Sequence, residues 1–165
     1  MSEPRDPIRE ARSQWVRHGW DDAADGMAMV TSVVRVQQLL MERIKAALHP
    51  HDLSFARYEI LRLLAFSRTG AMPMKRLGSL LQVHPTSVTS AVDRLEAQGF
   101  VRRERGQDDG RVVLASLTDE GRAVVEKATV DLNTAVFEQP GLDADDTVRL
   151  TAMLESFRER SGDLG

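Results

Sequence analysis

The segment RRERGQDDGR places Arg111 directly after a polar stretch that contains two glycines. A guanidinium at the tip of a hairpin can enter the minor groove of DNA, where the negative potential attracts arginine side chains. Asp109, two residues earlier, can accept hydrogen bonds from that guanidinium and fix its direction. The alternative is a solvated hairpin tip, in which an exposed Asp–Arg pair contributes only about 0–1 kcal/mol.

A second group of side chains with a common chemistry lies on the helix predicted over residues 85–98. Exposed helix faces usually carry Glu and Lys, which are better helix formers than Ser and Thr. Short hydroxyl side chains allow close approach and can donate to phosphates or to base edges, so this face is suited to the major groove. An ordinary hydroxyl-rich helix is the alternative. The face consists of Thr86, Ser87, Thr89, Ser90 and Arg94.

Local signals delimit this helix. Pro85 suits a first helical position, and Gly99 stands just past the last turn. A short helix predicted over Lys75–Gln82 precedes it, joined by the stretch QVHP. Two helices joined in this way are typical of a helix-turn-helix, whose second helix lies in the major groove. The expected buried face of the second helix is Val88, Ala91, Val92 and Leu95.

Two runs of β character follow, Phe100–Glu104 and Val112–Ser116, separated by Gly106 and Gly110. This pattern predicts a β-hairpin, and a hairpin directly after a recognition helix is a wing. Met72–Met74 is expected as a very short additional strand. The predicted fold class is mainly α with a small β-hairpin wing.

Periodicity and capping residues predict the other helices. Ser54, Thr118 and Asp143 are suited to cap the helices that follow them. The helix after Thr118 is expected to bury Val125, Ala128, Leu132 and Ala135. Helices are also predicted over residues 7–18, 22–48 and 55–66.

The long helix at 22–48 has apolar residues on two faces, which predicts burial on two sides. In so short a chain the second covering surface is most simply another subunit. The expected organisation is an N-terminal extra helix and long dimerisation helix over 1–50, a winged helix-turn-helix over 51–117, and C-terminal dimerisation helices over 118–165.

Composition narrows the function class. The net charge is −3, but residues 71–116 hold seven Lys or Arg and five Asp or Glu, so the middle of the chain is basic and the remainder acidic. No cysteine is present, which excludes thiolate chemistry. The charged N-terminus is unlike a signal peptide and no long apolar run occurs, so a cytoplasmic location without membrane contact is expected. No nucleophile–base pair, carboxylate pair or Gly-rich phosphate loop stands out, so an enzyme is not expected.

The sequence MKRLGSLLQVHPTSVTSAVDRLEAQGFVRRERGQDDGRVVLASLTDEGR resembles the winged helix-turn-helix of the MarR family of bacterial regulators. The resemblance rests on the frame around VDRLE, on Asp109 and Arg111 in the wing, and on the LT..G motif that ends at Gly121. It implies a homodimeric repressor that binds a pseudo-palindromic site on double-stranded DNA and is released by a small anionic or aromatic ligand. Gln107 departs from the proline or basic residue common at the wing tip. The predicted DNA contacts are Arg76, His84, Pro85, Thr86, Ser87, Thr89, Ser90, Arg94, Arg103, Asp109 and Arg111.

The N-terminal segment holds both tryptophans, Trp15 and Trp20. It resembles the added first helix of the urate-responsive branch of the same family, where a tryptophan helps to close a ligand pocket. An aromatic ring beside guanidinium groups suits a planar anion, although packing of the extra helix is an alternative role for Trp15. The predicted ligand contacts are Trp15, Trp20, Arg12, Arg35, Arg62 and Arg94.

Neither a metal nor a cofactor is expected. His49, His51 and Asp52 form a weak metal pattern without a second cluster, and the interpretation favoured for both histidines is a solvent-facing turn. A winged-helix module that binds another protein instead of DNA is the main alternative function, and it would fit the acidic overall charge.

Overall fold

The computed structural model describes residues 5–81, 85–106 and 111–163. Contacts divide the chain into two compact units, Met1–Lys45 and Ala46–Gly165. In the described ranges no helix combines the length and hydropathy needed to cross a membrane.

The first unit consists of two helices, α1 (Pro7–Arg17) and most of α2 (Asp21–Leu48). Asp6 starts α1, because its side chain accepts a hydrogen bond from the amide of Ile8 at 2.9 Å. The two helices are tied by an ion pair between Arg12 and Asp25, with 2.6 Å between Nε and Oδ1. The helices predicted at 7–18 and 22–48 are therefore confirmed within one residue at each end.

The second unit contains the predicted helix-turn-helix, the wing and the C-terminal helices. Its elements are α3 (Phe55–Phe66), β1 (Ala71–Pro73), α4 (Met74–Leu81), α5 (Pro85–Ala97), β2 (Val101–Arg105), β3 (Val113–Leu117), α6 (Asp119–Leu132) and α7 (Ala144–Arg160).

The predicted hairpin is confirmed, and it belongs to a three-stranded antiparallel sheet in the order β1-β3-β2. Val101 pairs with Leu117 and Arg105 with Val113, so β2 and β3 are in register along their whole length. The short strand expected at Met72–Met74 is present one residue earlier, as β1. Because β3 is central, β2 is an edge strand whose outer backbone groups need other partners.

The core of this unit joins the end of α2, helices α3 to α6 and the sheet. Its fully buried side chains pack aliphatic groups from all of these elements, as the periodicity predicts. Tyr58 adds a polar link, because its hydroxyl lies 3.1 Å from Oγ1 of Thr129 on α6. The most deeply buried side chains are Leu48, Ile60, Leu61, Leu64, Leu77, Val92, Leu95, Val101, Val125 and Leu132.

The LT..G motif joins α6 to the base of the wing. Thr118 caps α6, accepting from the amide of Gly121 at 3.0 Å, and its hydroxyl also donates to the carbonyl of Gly99 at 2.7 Å. A Cβ at Gly121 would overlap the carbonyl oxygen of Phe100. Glycine is therefore required here by close packing of backbone against backbone.

The end of α6 differs from the prediction. Val125, Ala128 and Leu132 are buried as expected, but Ala135 is exposed and Val136 is buried instead. The helix widens into a π turn over Asn133–Phe137, closed by a 2.8 Å bond from the amide of Glu138 to the carbonyl of Asn133. The wider turn changes which residue faces the core, so the assignment of Ala135 to the buried stripe was wrong.

Candidate nucleic-acid interface

Helix α5 has a buried face and a hydroxyl-rich outer face. Val88, Val92 and Leu95 are at most 2% exposed, which confirms most of the predicted inner face. The predicted groove-facing residues all lie on the outside of the helix. Thr86, Ser87, Thr89, Ser90 and Arg94 are exposed.

Helix α4 packs beside α5, and its Leu77 is fully buried. Arg76 is on the exposed side of α4, where it can contact a phosphate beside the groove that α5 is predicted to enter. Pro85 begins α5 at the position predicted for it. His84 lies outside the described residues, so its phosphate-facing role stays a prediction.

The wing presents its cations along the outgoing strand and at the start of the returning one. Arg102 and Arg105 of β2 are exposed, as is Arg111 two residues before β3 begins. Asp109 lies outside the described residues, so the predicted Asp109–Arg111 hydrogen bond stays a prediction.

Arg103 occupies a different environment from the other wing arginines. Its Nη2 lies 2.5 Å from Oδ1 of Asp93 and its Nη1 lies 2.6 Å from Oε2 of Glu96, both on α5. Its backbone amide also donates to Oε1 of Glu96 at 3.1 Å, which gives this amide of the edge strand β2 a partner. Burial alone would lower the pKa of Arg103, but the hydrogen bonds that it donates to Asp93 and Glu96, together with their negative charges, outweigh burial and raise the pKa.

These contacts join the wing to the proposed recognition helix. We call Arg103, Asp93 and Glu96 the wing clamp. Arg103 was selected from the sequence as a DNA contact, whereas the structure directs its guanidinium to carboxylates of its own chain. The sequence did not predict Asp93 and Glu96 as partners of Arg103, because they lie on α5 and meet β2 only through tertiary packing.

Of the predicted ligand contacts, Trp15, Trp20, Arg12 and Arg35 lie in the first unit. The two indole rings pack edge to face with centroids 5.5 Å apart, and the ring of His18 stacks on Trp20 at 5.7 Å. Trp20 is 54% exposed, so part of its ring is open to solvent.

The guanidinium groups proposed to hold an anion differ in their partners. Arg12 is paired with Asp25, and Arg35 hydrogen-bonds the neutral amide of Gln38 at 3.3 Å. In the second unit, Arg62 pairs with Glu126 at 2.9 Å and lies 5.1 Å from the ring centroid of Phe66. Among the described residues Arg94 has no carboxylate within ion-pair distance.

The histidine turn also differs from the prediction. His51 is not solvent-facing: its side chain is 12% exposed, and Nε2 lies 2.6 Å from Oδ2 of Asp131 on α6. This pair fastens the turn after α2 to α6. Within the described parts of the chain no group of three or more His, Cys, Asp or Glu residues could hold a metal ion.

One polar residue near α5 was missed by sequence reasoning. Arg57, in the first turn of α3, donates from Nη1 to Oε1 of Gln98 at 2.7 Å and from Nε to the hydroxyl of Ser54 at 3.3 Å. The signal for α3 was its N-cap at Ser54, but nothing in the local sequence places this first turn beside α5.

Comparisons with known proteins place this geometry in a family context. The MarR family profile matches residues 53–113. The HTH-type transcriptional regulator YhbI of Bacillus subtilis (strain 168) is 30% identical over 99 residues, which are 60% of this chain and 61%, or less than two thirds, of that protein.

Two solved structures extend the comparison. Sco5413, a MarR family transcriptional regulator from Streptomyces coelicolor, is 44% identical, and the match covers 85% of this chain and 97% of that one with a TM-score of 0.76. Sco3205, a MarR family regulator from the same organism solved in complex with DNA, is 26% identical, with 79% and 84% coverage and a TM-score of 0.70.

Proposed function

Because the chain belongs to the MarR family of transcriptional regulators, we propose that it is a homodimeric repressor of a pseudo-palindromic operator on double-stranded DNA. Helix α5 enters the major groove, and Arg111 of the wing enters the adjacent minor groove. Residues 51–117 form the DNA-binding region in this proposal, and 1–50 and 118–165 form the dimerisation regions.

The outer face of α5 carries the proposal. Five residues that can donate hydrogen bonds, four hydroxyls and Arg94, are exposed on a helix whose other face is anchored in the core. Such side chains contact phosphates and base edges at short range, whereas on a solvated helix face they offer no comparable advantage. Sco3205, which shares this fold, was solved in complex with DNA, and this supports DNA binding as the proposed role.

Exposed apolar side chains support the homodimer. In the single chain, Val30, Val33 and Val34 of α2 are 47–55% exposed. On α7, Val148, Met153 and Phe157 are 61–70% exposed. Apolar surface of this extent is typical of protein interfaces, so a second copy of the chain is the partner that we propose for both helices.

Release of DNA by a small anionic or aromatic ligand completes the proposal. The exposed edge of Trp20 offers an aromatic surface, and Arg35 has no carboxylate partner among the described residues. Trp15 and Trp20 are the only tryptophans, so a ligand bound beside them should change the intrinsic fluorescence. If a ligand binds the wild type without changing its fluorescence, and Trp15→Phe binds the same ligand normally, the ligand site lies elsewhere.

Fluorescence anisotropy tests the DNA-binding function directly. Labelled DNA from upstream of the protein's own gene is titrated at several salt concentrations, with a scrambled duplex as control. We expect selective binding whose affinity falls with log salt by about 0.9 per phosphate contact. Arg111→Ala should weaken this binding and leave the dimer intact. Equal, weak binding to both duplexes would mean that the operator lies elsewhere or that none exists. If selection of bound fragments from the whole genome then yields no preferred sequence, the acidic net charge of −3 favours a protein-binding module instead.

A further inference from the structure

A groove of about 430 Å³ lies between the first turn of α3 and the outer face of α5. Two arginines, Arg57 and Arg94, come from opposite sides of it. Hydroxyl groups complete the polar lining, contributed by Ser54, Thr86, Ser87 and Ser90. Every one of these side chains can donate hydrogen bonds, and neither Asp nor Glu lines the groove in the described parts of the chain.

The helix termini add to the positive potential of this groove. Ser54 is the N-cap of α3, and Thr86 and Ser87 belong to the first turn of α5. The amino-terminal end of a helix carries a partial positive charge and favours bound anions. Two helix ends and two guanidinium groups therefore act in the same direction.

Arg57 is held in position before any ligand arrives. Its Nε and Nη1 donate to Ser54 and Gln98, as described above. The amide nitrogen of Gln98 in turn donates to the carbonyl and to Oδ2 of Asp52, at 2.9 and 3.0 Å. Neutral Gln98 stands between Arg57 and Asp52. Among the described residues no carboxylate lies within ion-pair distance of the Arg57 guanidinium.

We propose that this groove is a binding site for a phosphate oxyanion, held by Arg57 and Arg94 and oriented by the surrounding hydroxyl groups. Guanidinium groups suit this ligand because they can donate two parallel hydrogen bonds to its oxygens. A phosphate of the DNA backbone and free inorganic phosphate share this chemistry. The DNA source and any competition between phosphate and DNA rest on the proposed function, whereas binding of free inorganic phosphate does not.

The location of the groove has a direct consequence for regulation. Ser87, Ser90 and Arg94 line it and also belong to the face proposed to enter the major groove. A free phosphate-type anion and DNA therefore exclude one another at this position. Inorganic phosphate should weaken DNA binding more than chloride does at equal ionic strength.

The first experiment uses the free protein. Its ¹H–¹⁵N NMR spectrum is recorded during titration with inorganic phosphate at constant ionic strength, observing the Arg57 Nε–H and the amides of Ser87 and Ser90. We expect saturable shifts of all three signals in the wild type. The shifts of the Ser87 and Ser90 amides, which every variant retains, should disappear in Arg57→Gln and Arg94→Gln. Lys127→Gln removes an exposed cation of α6 that does not line the groove, so this control should titrate like the wild type.

The second experiment measures DNA binding as a function of salt. If the groove holds a backbone phosphate, Arg57→Gln should lower the slope of log affinity against log salt by about 0.9 per protomer, or about 1.8 for the homodimer, because each protomer loses one phosphate contact. Lys127→Gln should leave the slope unchanged. Thermal unfolding of each variant checks that the fold is intact, and Arg57→Lys, which keeps the charge, should retain part of the binding.

The outcomes separate the two proposals. Saturable phosphate binding that requires Arg57 supports the site even if the protein shows no selective DNA binding, a result that would refute only the proposed function. A reduced salt slope without saturable phosphate binding assigns the site to the DNA backbone. If phosphate shifts the wild type and Arg57→Gln alike and the slope does not change, the site does not exist.

Discussion

Replacing Arg103 by glutamine tests whether this residue positions the wing or contacts DNA. The wing clamp uses both terminal nitrogens of the guanidinium on α5 carboxylates. Glutamine is similar in length but is uncharged, so both ion pairs are lost. The backbone bond from Arg103 to Glu96 does not depend on the side chain and can persist.

The cost to stability follows from the exposure of the three side chains. Arg103 is 25% exposed, but Asp93 and Glu96 are 58% and 41% exposed, so solvent screens both pairs. Exposed ion pairs contribute at most about 1 kcal/mol each, and the two carboxylates left three residues apart repel by about 0.2–0.5 kcal/mol. We therefore expect Arg103→Gln to lower the free energy of unfolding by about 1–2 kcal/mol, measured by urea denaturation.

A double-mutant cycle in the DNA-binding assay separates the two roles. The cycle compares Arg103→Gln in the wild type with Arg103→Gln in a variant that carries Asp93→Asn and Glu96→Gln. If Arg103 acts through the clamp, its replacement weakens DNA binding in the wild type and has little further effect once the carboxylates are gone. Replacing Arg103 removes one positive charge near the DNA in both backgrounds, so this contribution cancels when one change in affinity is subtracted from the other.

The salt dependence gives an independent readout. A positioning residue changes affinity without changing the number of phosphates contacted, so the slope should match that of the wild type. Two results together would refute the clamp: a slope lower by about 0.9 per protomer, or about 1.8 for the homodimer, and an equal loss of affinity from Arg103→Gln in both backgrounds. Arg103 would then be a phosphate contact, as the sequence alone had indicated.

Further predictions concern the stability of the fold. Gly121→Ala should destabilise the protein by about 1–3 kcal/mol through overpacking against the Phe100 carbonyl. Gly26→Ala should stabilise α2 by about 0.5–1 kcal/mol, because a Cβ added there meets no atom within 4 Å. Equal melting temperatures for the two variants would contradict the packing argument. Burial raises the pKa of Glu59, so the folded state binds this proton more tightly than the unfolded state does, and stability falls as pH rises through the raised pKa. Glu59→Gln should therefore be more stable than the wild type at neutral pH. Urea titrations should show this difference in stability shrinking as the pH falls and the wild-type carboxyl becomes protonated. An equal difference at acid and neutral pH would argue against burial of a charged carboxylate as the cause.

The fold was predictable where the sequence carries local signals. Ser54, Thr118 and Asp143 each cap the helix that follows, and every cap accepts the hydrogen bond expected of it. Such bonds form within three residues, so residue type and spacing determine them. The π turn at Asn133–Phe137 was missed because its composition does not distinguish it from a continuing α-helix.

The candidate site was predictable in part, because helical periodicity identifies the side of α5 that faces outward. What periodicity does not give is the partner of each cation. Arg57 was missed because its relation to Gln98 spans 41 residues and depends on how α3 packs against α5. The same limit explains Arg103, which was selected for its charge although tertiary contacts determine what that charge binds.

Whether a guanidinium group is already paired with a carboxylate therefore matters more for function than the number of basic residues. Arg12 and Arg62, proposed from the sequence as ligand contacts, each have a carboxylate partner on another helix. An anionic ligand that used either one would have to compete with Asp25 or Glu126 and leave that carboxylate without its cation. Arg57 and Arg94 carry no such cost, because in the described parts of the chain no carboxylate lines the groove they share. If one small anion controls this regulator, it gains most by binding where it also blocks α5.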